Sequence, residues 1–420
     1  MRFECKHCGQ HFEADEEMIG QSMQCQTCGK TFTVEAPVEE APAAESTPDP
    51  DTGSDATPEG AAAEQESSAP AAPSRPETPH ESYKLVQQSD WSGEDMDRIH
   101  HLREAHDKII EQIRKAVVGQ DKVVRLTMIG LFGQGHCLLM GVPGIGKTLL
   151  VRTLAQSLSL TFRRVQFTPD LMPSDITGTE VIEEDKASGE RNFRFLEGPI
   201  FTNMLLADEI NRTPPKTQAA LLEAMQEHQV TVGGERKALE EPFFVLATQN
   251  PIEQEGTYPL PEAQMDRFMF QINVGYPLEH EEKKILDITT SGYEAQVESV
   301  LQREEIIYLQ QLVRKVRISD DVVDHILKLV RLTRSDQPDC AEFVRKWVSW
   351  GAGPRASQYL VIGGKAVAIL DGRNEVRLED VNEVAHAVLC HRIQPNFAAE
   401  AEGINSTRIV DELLKEVMES

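Results

Sequence analysis

Gly141-Val142-Pro143-Gly144-Ile145-Gly146-Lys147-Thr148 is the stretch that decides how this chain folds. It fits the pattern G-x-x-x-x-G-K-[ST] at every position, which chance supplies in roughly one or two per hundred chains of this size. The apolar run Cys137-Leu138-Leu139-Met140 before it reads as a short buried strand. Leu149-Leu150-Val151-Arg152-Thr153-Leu154-Ala155 after it reads as a helix. Strand, glycine loop and helix N-terminus together turn backbone N–H groups onto a phosphate chain. In that arrangement Lys147 reaches the β- and γ-phosphates of ATP, and the Thr148 hydroxyl holds Mg2+.

Outward from this loop, strand and helix signals alternate. Phe162-Arg163-Arg164-Val165-Gln166-Phe167, Met204-Leu205-Leu206-Ala207, Phe243-Phe244-Val245-Leu246-Ala247 and Phe268-Met269-Phe270-Gln271-Ile272 are candidate strands. Ala219, Leu222, Ala224 and Met225 mark a helix between them. The alternation predicts an α/β core with a mostly parallel sheet and helices on both faces. Residues 180–195, around Ser188-Gly189, and residues 229–239, turning at Gly233-Gly234, read as hairpins inserted into that core. Beyond Pro277 strand signals fade, and helical stripes at Val322 to Val330, Tyr359 to Leu370 and Val381 to Leu389 predict a small helical domain.

The remaining nucleotide chemistry falls at the ends of these strands. Leu205-Leu206-Ala207-Asp208-Glu209 is an apolar run ending in two carboxylates, about sixty residues after the phosphate loop. Asp208 is the candidate Mg2+ shell residue, and Glu209 the candidate base for the attacking water. Asn250 ends the next strand, where its side chain can hold that water in line; it also precedes Pro251, a common turn setting. Arg267 opens the last core strand and, in a ring, stands where an arginine can reach a neighbour's γ-phosphate. Gly353-Pro354-Arg355 starts a helix in the second domain, with Pro at the first helical position. Arg355 then points from that N-terminus and can meet bound phosphate. Val118 and Gly119, ahead of the first strand, are candidate walls for the adenine.

Composition bounds the rest. A chain of 420 residues with 40% hydrophobic content has room for two or three domains. Its formal net charge of −27 argues against nucleic acid and anionic membranes as partners. The first residues contain no apolar signal region, no run approaches a membrane span, and the seven cysteines suggest no disulfide framework. A reducing cytoplasm is the expected location. Cys5-x-x-Cys8 and Cys25-x-x-Cys28, separated by sixteen residues, form two knuckles, each followed by Gly. Such a pair of knuckles points four thiolates at one tetrahedral Zn2+, so a structural zinc ribbon is predicted over residues 1–34. A unit this short draws its folding energy from the metal. Residues 35–94 are rich in Ala, Pro, Glu, Ser and Thr and read as a disordered acidic linker.

Two longer strings narrow the reading: ADEINRTPPKTQAALLEAM over residues 207–225 and ATQNPIEQEGTYPLPEAQ over residues 247–264. Together with the phosphate loop they resemble the MoxR family of AAA+ ATPases across roughly residues 95–395. Thr213 and Gly353 stand where family members often carry other small residues. The resemblance implies a five-stranded parallel core over residues 95–277 and a helical lid over 278–395; residues 396–420 are left as a C-terminal tail. It also implies hexameric rings with nucleotide between subunits, hairpins on the ring face, and a chaperone-like role beside proteins with a von Willebrand factor A domain. A metal-chelatase motor has a similar core, and a nucleic-acid-binding regulator using the ribbon is a third reading. The acidity of the chain and the few basic residues of the ribbon disfavour the last.

Overall fold

The computed structural model describes strands at residues 2–4, 11–13, 22–24 and 31–33, then residues 91–184, 191–252, 256–338 and 340–419. The chain divides into two units, Met1–His80 and Glu81–Ser420. In the first, β1 (Arg2–Glu4) pairs antiparallel with β2 (His11–Glu13), setting Phe3 opposite Phe12. β3 (Ser22–Gln24) pairs likewise with β4 (Thr31–Thr33), setting Met23 opposite Phe32. Each pairing thus sets an apolar residue opposite a Phe at its centre. Cys5, Cys8, Cys25 and Cys28 lie outside the described residues, as do residues 35–90.

The second unit opens with α1 (Gly93–Ala116). Ser92 and Asp95 fix its start: each side chain accepts the other's backbone N–H at 3.0 Å, a reciprocal cap. Then come α2 (Asp121–Phe132), β5 (Cys137–Met140), α3 (Lys147–Ser157), β6 (Phe162–Gln166), α4 (Pro173–Thr177), β7 (Gly178–Glu184) and β8 (Arg191–Glu197). β9 (Met204–Asp208), α5 (Pro215–Glu227), β10 (Gln229–Val232), β11 (Glu235–Ala238), β12 (Phe244–Gln249), α6 (Glu262–Met265) and β13 (Phe270–Asn273) complete the core.

Five strands form one sheet in the order β13-β5-β12-β9-β6, and every neighbouring pair is parallel. Parallel neighbours need crossovers, so helices cover both faces. The period-2 alternation of a strand divides the core accordingly. Cys137, Leu139, Leu206, Phe244 and Leu246 pack on one face, and Leu138, Leu205, Ala207, Val245 and Ala247 on the other. Because all five strands run the same way, whatever follows a strand lands on one edge of the sheet, and whatever precedes a strand lands on the other. Both inserted hairpins are present. β7 pairs with β8, with residues 185–190, including Ser188 and Gly189, outside the described residues. β10 and β11 turn at Gly233 and Gly234, whose φ values of 59° and 84° suit a two-residue turn.

After Pro277 the chain continues with α7 (Glu279–Thr290), α8 (Arg303–Lys315), α9 (Asp320–Leu332), α10 (Glu342–Trp347), β14 (Val348–Trp350), α11 (Pro354–Leu370) and α12 (Leu378–Leu389). β15 (Gln394–Pro395), α13 (Phe397–Ala401) and α14 (Ser406–Glu419) follow. β14 and β15 pair antiparallel over two or three residues, too short to leave a periodic signal. The stretch expected as a C-terminal tail contains α13 and α14. Ile409, Val410 and Leu413 lie on one side of α14 and are fully buried, and the helix packs on α9 and α12. Among the described residues no helix is long and apolar enough to cross a membrane.

Candidate functional site

The glycine loop joins β5 to α3. Gly144 and Gly146 both hold φ at 83°, a region closed to most side chains, and neither would meet an atom if it carried a Cβ. The backbone conformation, not crowding, therefore calls for glycine there. Gly141 differs: a Cβ would stand 2.7 Å from the Val274 carbonyl. Lys147 opens α3, is buried, and donates from Nζ to the Gly141 carbonyl at 2.6 Å. Burial pushes its ammonium pKa below the ordinary value, opposed by the Asp208 and Glu209 carboxylates. Thr148, half-buried, is the second residue of α3.

The next strands bring their ends to the same edge. Register sets Gln249 beside Met140, Ala207 beside Ala247, and Gln166 beside Asp208. Thr248 ties the two carboxylate residues together: its hydroxyl donates to Asp208 Oδ1 at 2.6 Å and accepts the Glu209 N–H at 2.9 Å. Arg164 donates to Asp208 Oδ2 through Nε at 2.9 Å and Nη2 at 2.6 Å. Glu209 has a φ of 58°. Its carboxylate accepts from Gln166 and pairs with Arg212 at 3.2 Å. Asn250 is buried, and its Oδ1 accepts the Ile252 N–H at 3.2 Å, so it fills the turn role that its position before Pro251 allows. Carboxylate and hydroxyl oxygens are the donors Mg2+ takes, and a glycine loop with positive φ exposes the N–H groups a polyphosphate takes, so these residues fit a Mg2+-nucleotide.

Val118 borders a cavity of about 520 Å3 beside the glycine loop, whereas Gly119 does not line it and faces the Glu281 carboxylate instead. Ile145 and Leu149 form one wall, and Ile285 and Leu286 of α7 form another, an apolar slot of the kind that takes a planar base. Gln120 braces it by donating from Nε2 to the Ile145 carbonyl at 3.0 Å.

Arg267 and Arg355 lie apart from this group. Arg267 precedes β13, and the Met269 N–H bonds the His136 carbonyl at the start of β5. The glycine loop leaves the other end of β5, about 13 Å of strand away. Arg355, at the second position of α11, pairs with Asp266 at 3.2 Å, so it stands beside Arg267. Two lid residues that sequence reasoning passed over, Tyr359 and Arg392, contact the same segment. Arg164, Gln166, Thr248 and the α7 wall also escaped it. Only the position of Gln166 at a strand end was a usable signal.

Residues 136–270 match the ATPase family associated with various cellular activities (AAA), and residues 341–413 match the AAA lid domain. Chaperone MoxR1 of Mycobacterium tuberculosis is 42% identical over 311 residues, covering 74% of this chain and 81% of that protein. The chain belongs to the MoxR family of AAA+ ATPases. Protein MoxR of Methylorubrum extorquens is 29% identical over 337 residues, covering 76% of this chain and 95% of that protein. A crystal structure from Cytophaga hutchinsonii, 42% identical, superposes with a TM-score of 0.71 over 76% of this chain and 96% of the other. Membership in the MoxR family carries nucleotide and Mg2+ use with it, and the five-stranded sheet with its helical lid is the fold expected of a member.

Proposed function

We propose that this MoxR-family chain hydrolyses ATP as a homo-oligomeric, hexameric ring and uses the cycle to remodel a partner protein. The observation that carries this reading is the gathering of Lys147, Asp208, Glu209 and Asn250 on one sheet edge while Arg267 lies on the other. The N–H groups of residues 144–148 and the Lys147 ammonium take the phosphates. Thr148 and Asp208 would hold Mg2+, which when bound offsets charge on the γ-phosphate. Glu209 takes the proton of the attacking water, and Asn250 holds that water in line. Val118 walls the adenine. Arg267 cannot serve the loop on its own chain's far edge, so it serves a neighbour's, and Arg355 beside it meets the same phosphate.

The relative named a chaperone supports a remodelling role, with a von Willebrand factor A domain protein as the expected partner. Cys5, Cys8, Cys25 and Cys28 bind one structural Zn2+. What supports this is the doubled motif, each pair falling between two paired strands. Cys137, Cys340 and Cys390 are free and buried, which suits a reducing cytoplasm. Steady-state phosphate release by the assembled chain, with and without Mg2+, tests the central claim. Slow Mg2+-dependent turnover that Glu209→Gln removes is expected. A Glu209→Gln chain that turns over normally would take the base role away from Glu209.

A further inference from the structure

The segment Asp266-Arg267-Phe268-Met269 owes its backbone path to the lid. All four of its carbonyls accept hydrogen bonds from lid side chains. Arg392 Nη2 donates to the carbonyls of Asp266 at 2.8 Å and Phe268 at 2.7 Å. Its Nη1 donates to the Met269 carbonyl at 3.3 Å, and the Tyr359 hydroxyl donates to the Arg267 carbonyl at 3.1 Å. Arg392 Nε also binds Asp266 Oδ1 at 2.7 Å, and Arg355 holds Oδ2. The Arg392 side chain is 2% exposed, its guanidinium lies 5.1 Å from the Tyr359 ring centre, and Nη1 is tied to α12 through the Val388 carbonyl. Burial lowers the Arg392 pKa, and Asp266 opposes that shift.

A buried guanidinium is costly to dehydrate, and that cost is offset only when its donors are satisfied, as here. Five N–H groups in a rigid fork then fix the carbonyls they bind. An arginine acting on a neighbour's phosphate needs such fixing, because a displacement of about 1 Å costs about 10²-fold in rate.

The geometry points to Arg392, assisted by Tyr359, as the positioning residue of the Arg267 finger: the lid of one subunit sets how that subunit serves the next. This rests on the reading of Arg267 as a finger in trans. Arg392 touches no phosphate and acts only through residues 266–269.

The test uses Arg392→Lys and Tyr359→Phe in the full-length assembled chain. Arg392→Lys keeps the charge and loses the fork; turnover should fall about 10²-fold. Tyr359→Phe deletes one hydroxyl; turnover should fall about fivefold, the value of one neutral hydrogen bond. Affinity for a fluorescent ATP analogue should stay within about twofold, since the loop, base and adenine wall are untouched. Mixing either variant with Lys147→Ala subunits should restore hydrolysis, as mixing Arg267→Ala with Lys147→Ala should. In an Arg267→Ala background, Tyr359→Phe should cost nothing further, because its route to the phosphate is gone. Wild-type turnover in Tyr359→Phe overturns the inference. So does further loss in the Arg267→Ala background, or recovery with Arg267→Ala subunits but not with these variants. If Arg267→Ala itself turns over normally, the finger reading fails first. If Arg392→Lys does not fold, Tyr359→Phe decides.

Discussion

At one edge of the sheet, Lys147, Asp208, Glu209 and Asn250 all follow or end a strand: Thr248 of the neighbouring strand holds Asp208 and Glu209, and Lys147 and Asn250 bond within their own loops. At the other edge, Arg267 sits on a segment held by Tyr359 and Arg392, which lie 92 and 126 residues from the residues they bind. The first edge is a property of the core, and the second a joint between core and lid. The difference teaches that, with Arg267 acting in trans as proposed, binding nucleotide and serving a neighbour's nucleotide are separable. One can fail while the other stands.

The largest effect should come from the first edge. Lys147→Ala removes the cation that meets the phosphates, and nucleotide binding should be lost in a fluorescence titration. Glu209→Gln should keep binding and lose hydrolysis by at least about 10²-fold, since general-base catalysis contributes that much. Next comes the second edge. Arg267→Ala should bind ATP normally and lose about 10³-fold in turnover, the lower end of what arginine fingers supply. Mixing with Lys147→Ala subunits should recover part of it. Co-assembled mixtures that never recover would break the comparison, because the finger would then belong to its own chain's site.

A smaller effect should appear with pH at the same second edge. His136 is buried at the start of β5, with Nδ1 accepting the Val245 N–H and Nε2 donating to the Met225 carbonyl, each at 3.0 Å. Burial holds its pKa down at about 4, from an ordinary 6.5. A proton therefore binds the unfolded chain first as pH falls below 6.5, and folding stability drops until the folded-state pKa is reached. Between pH 7 and pH 5 the unfolding free energy should fall by about 2 kcal/mol from this group. Urea melts at the two values check it, and His136→Gln should flatten the slope. The smallest effect should follow removal of residues 1–90. Turnover should stay within about twofold, because the residues named at the two edges all lie after residue 91. Zinc chelation that silences hydrolysis would show that the N-terminal unit acts on the core.

Much of the first edge was legible in the sequence because its parts are local. A glycine loop, an apolar run ending in two carboxylates and a strand ending in Asn are short strings whose periodicity and chemistry coincide. The order of strands and helices followed from alternation. The hairpin at Gly233-Gly234 followed from the φ values only glycine adopts readily. The helix of residues 406–419 was not legible, since its apolar face has meaning only against α9 and α12.

The sequence alone thus determined the glycine loop, the strand ending in two carboxylates and the mostly parallel run of the strands, since these rest on patterns within one loop or one strand. Only the tertiary structure decided what surrounds those residues. Arg164 on Asp208, Gln166 on Glu209, α7 facing Ile145 and Leu149 across the cavity, and Arg392 on the Arg267 segment join distant parts of the chain. It also decided that Arg355 stands with Arg267 and not with the glycine loop. A long polar side chain leaves no periodic trace of its partner, and its role is settled when folding brings the partner within about 3 Å.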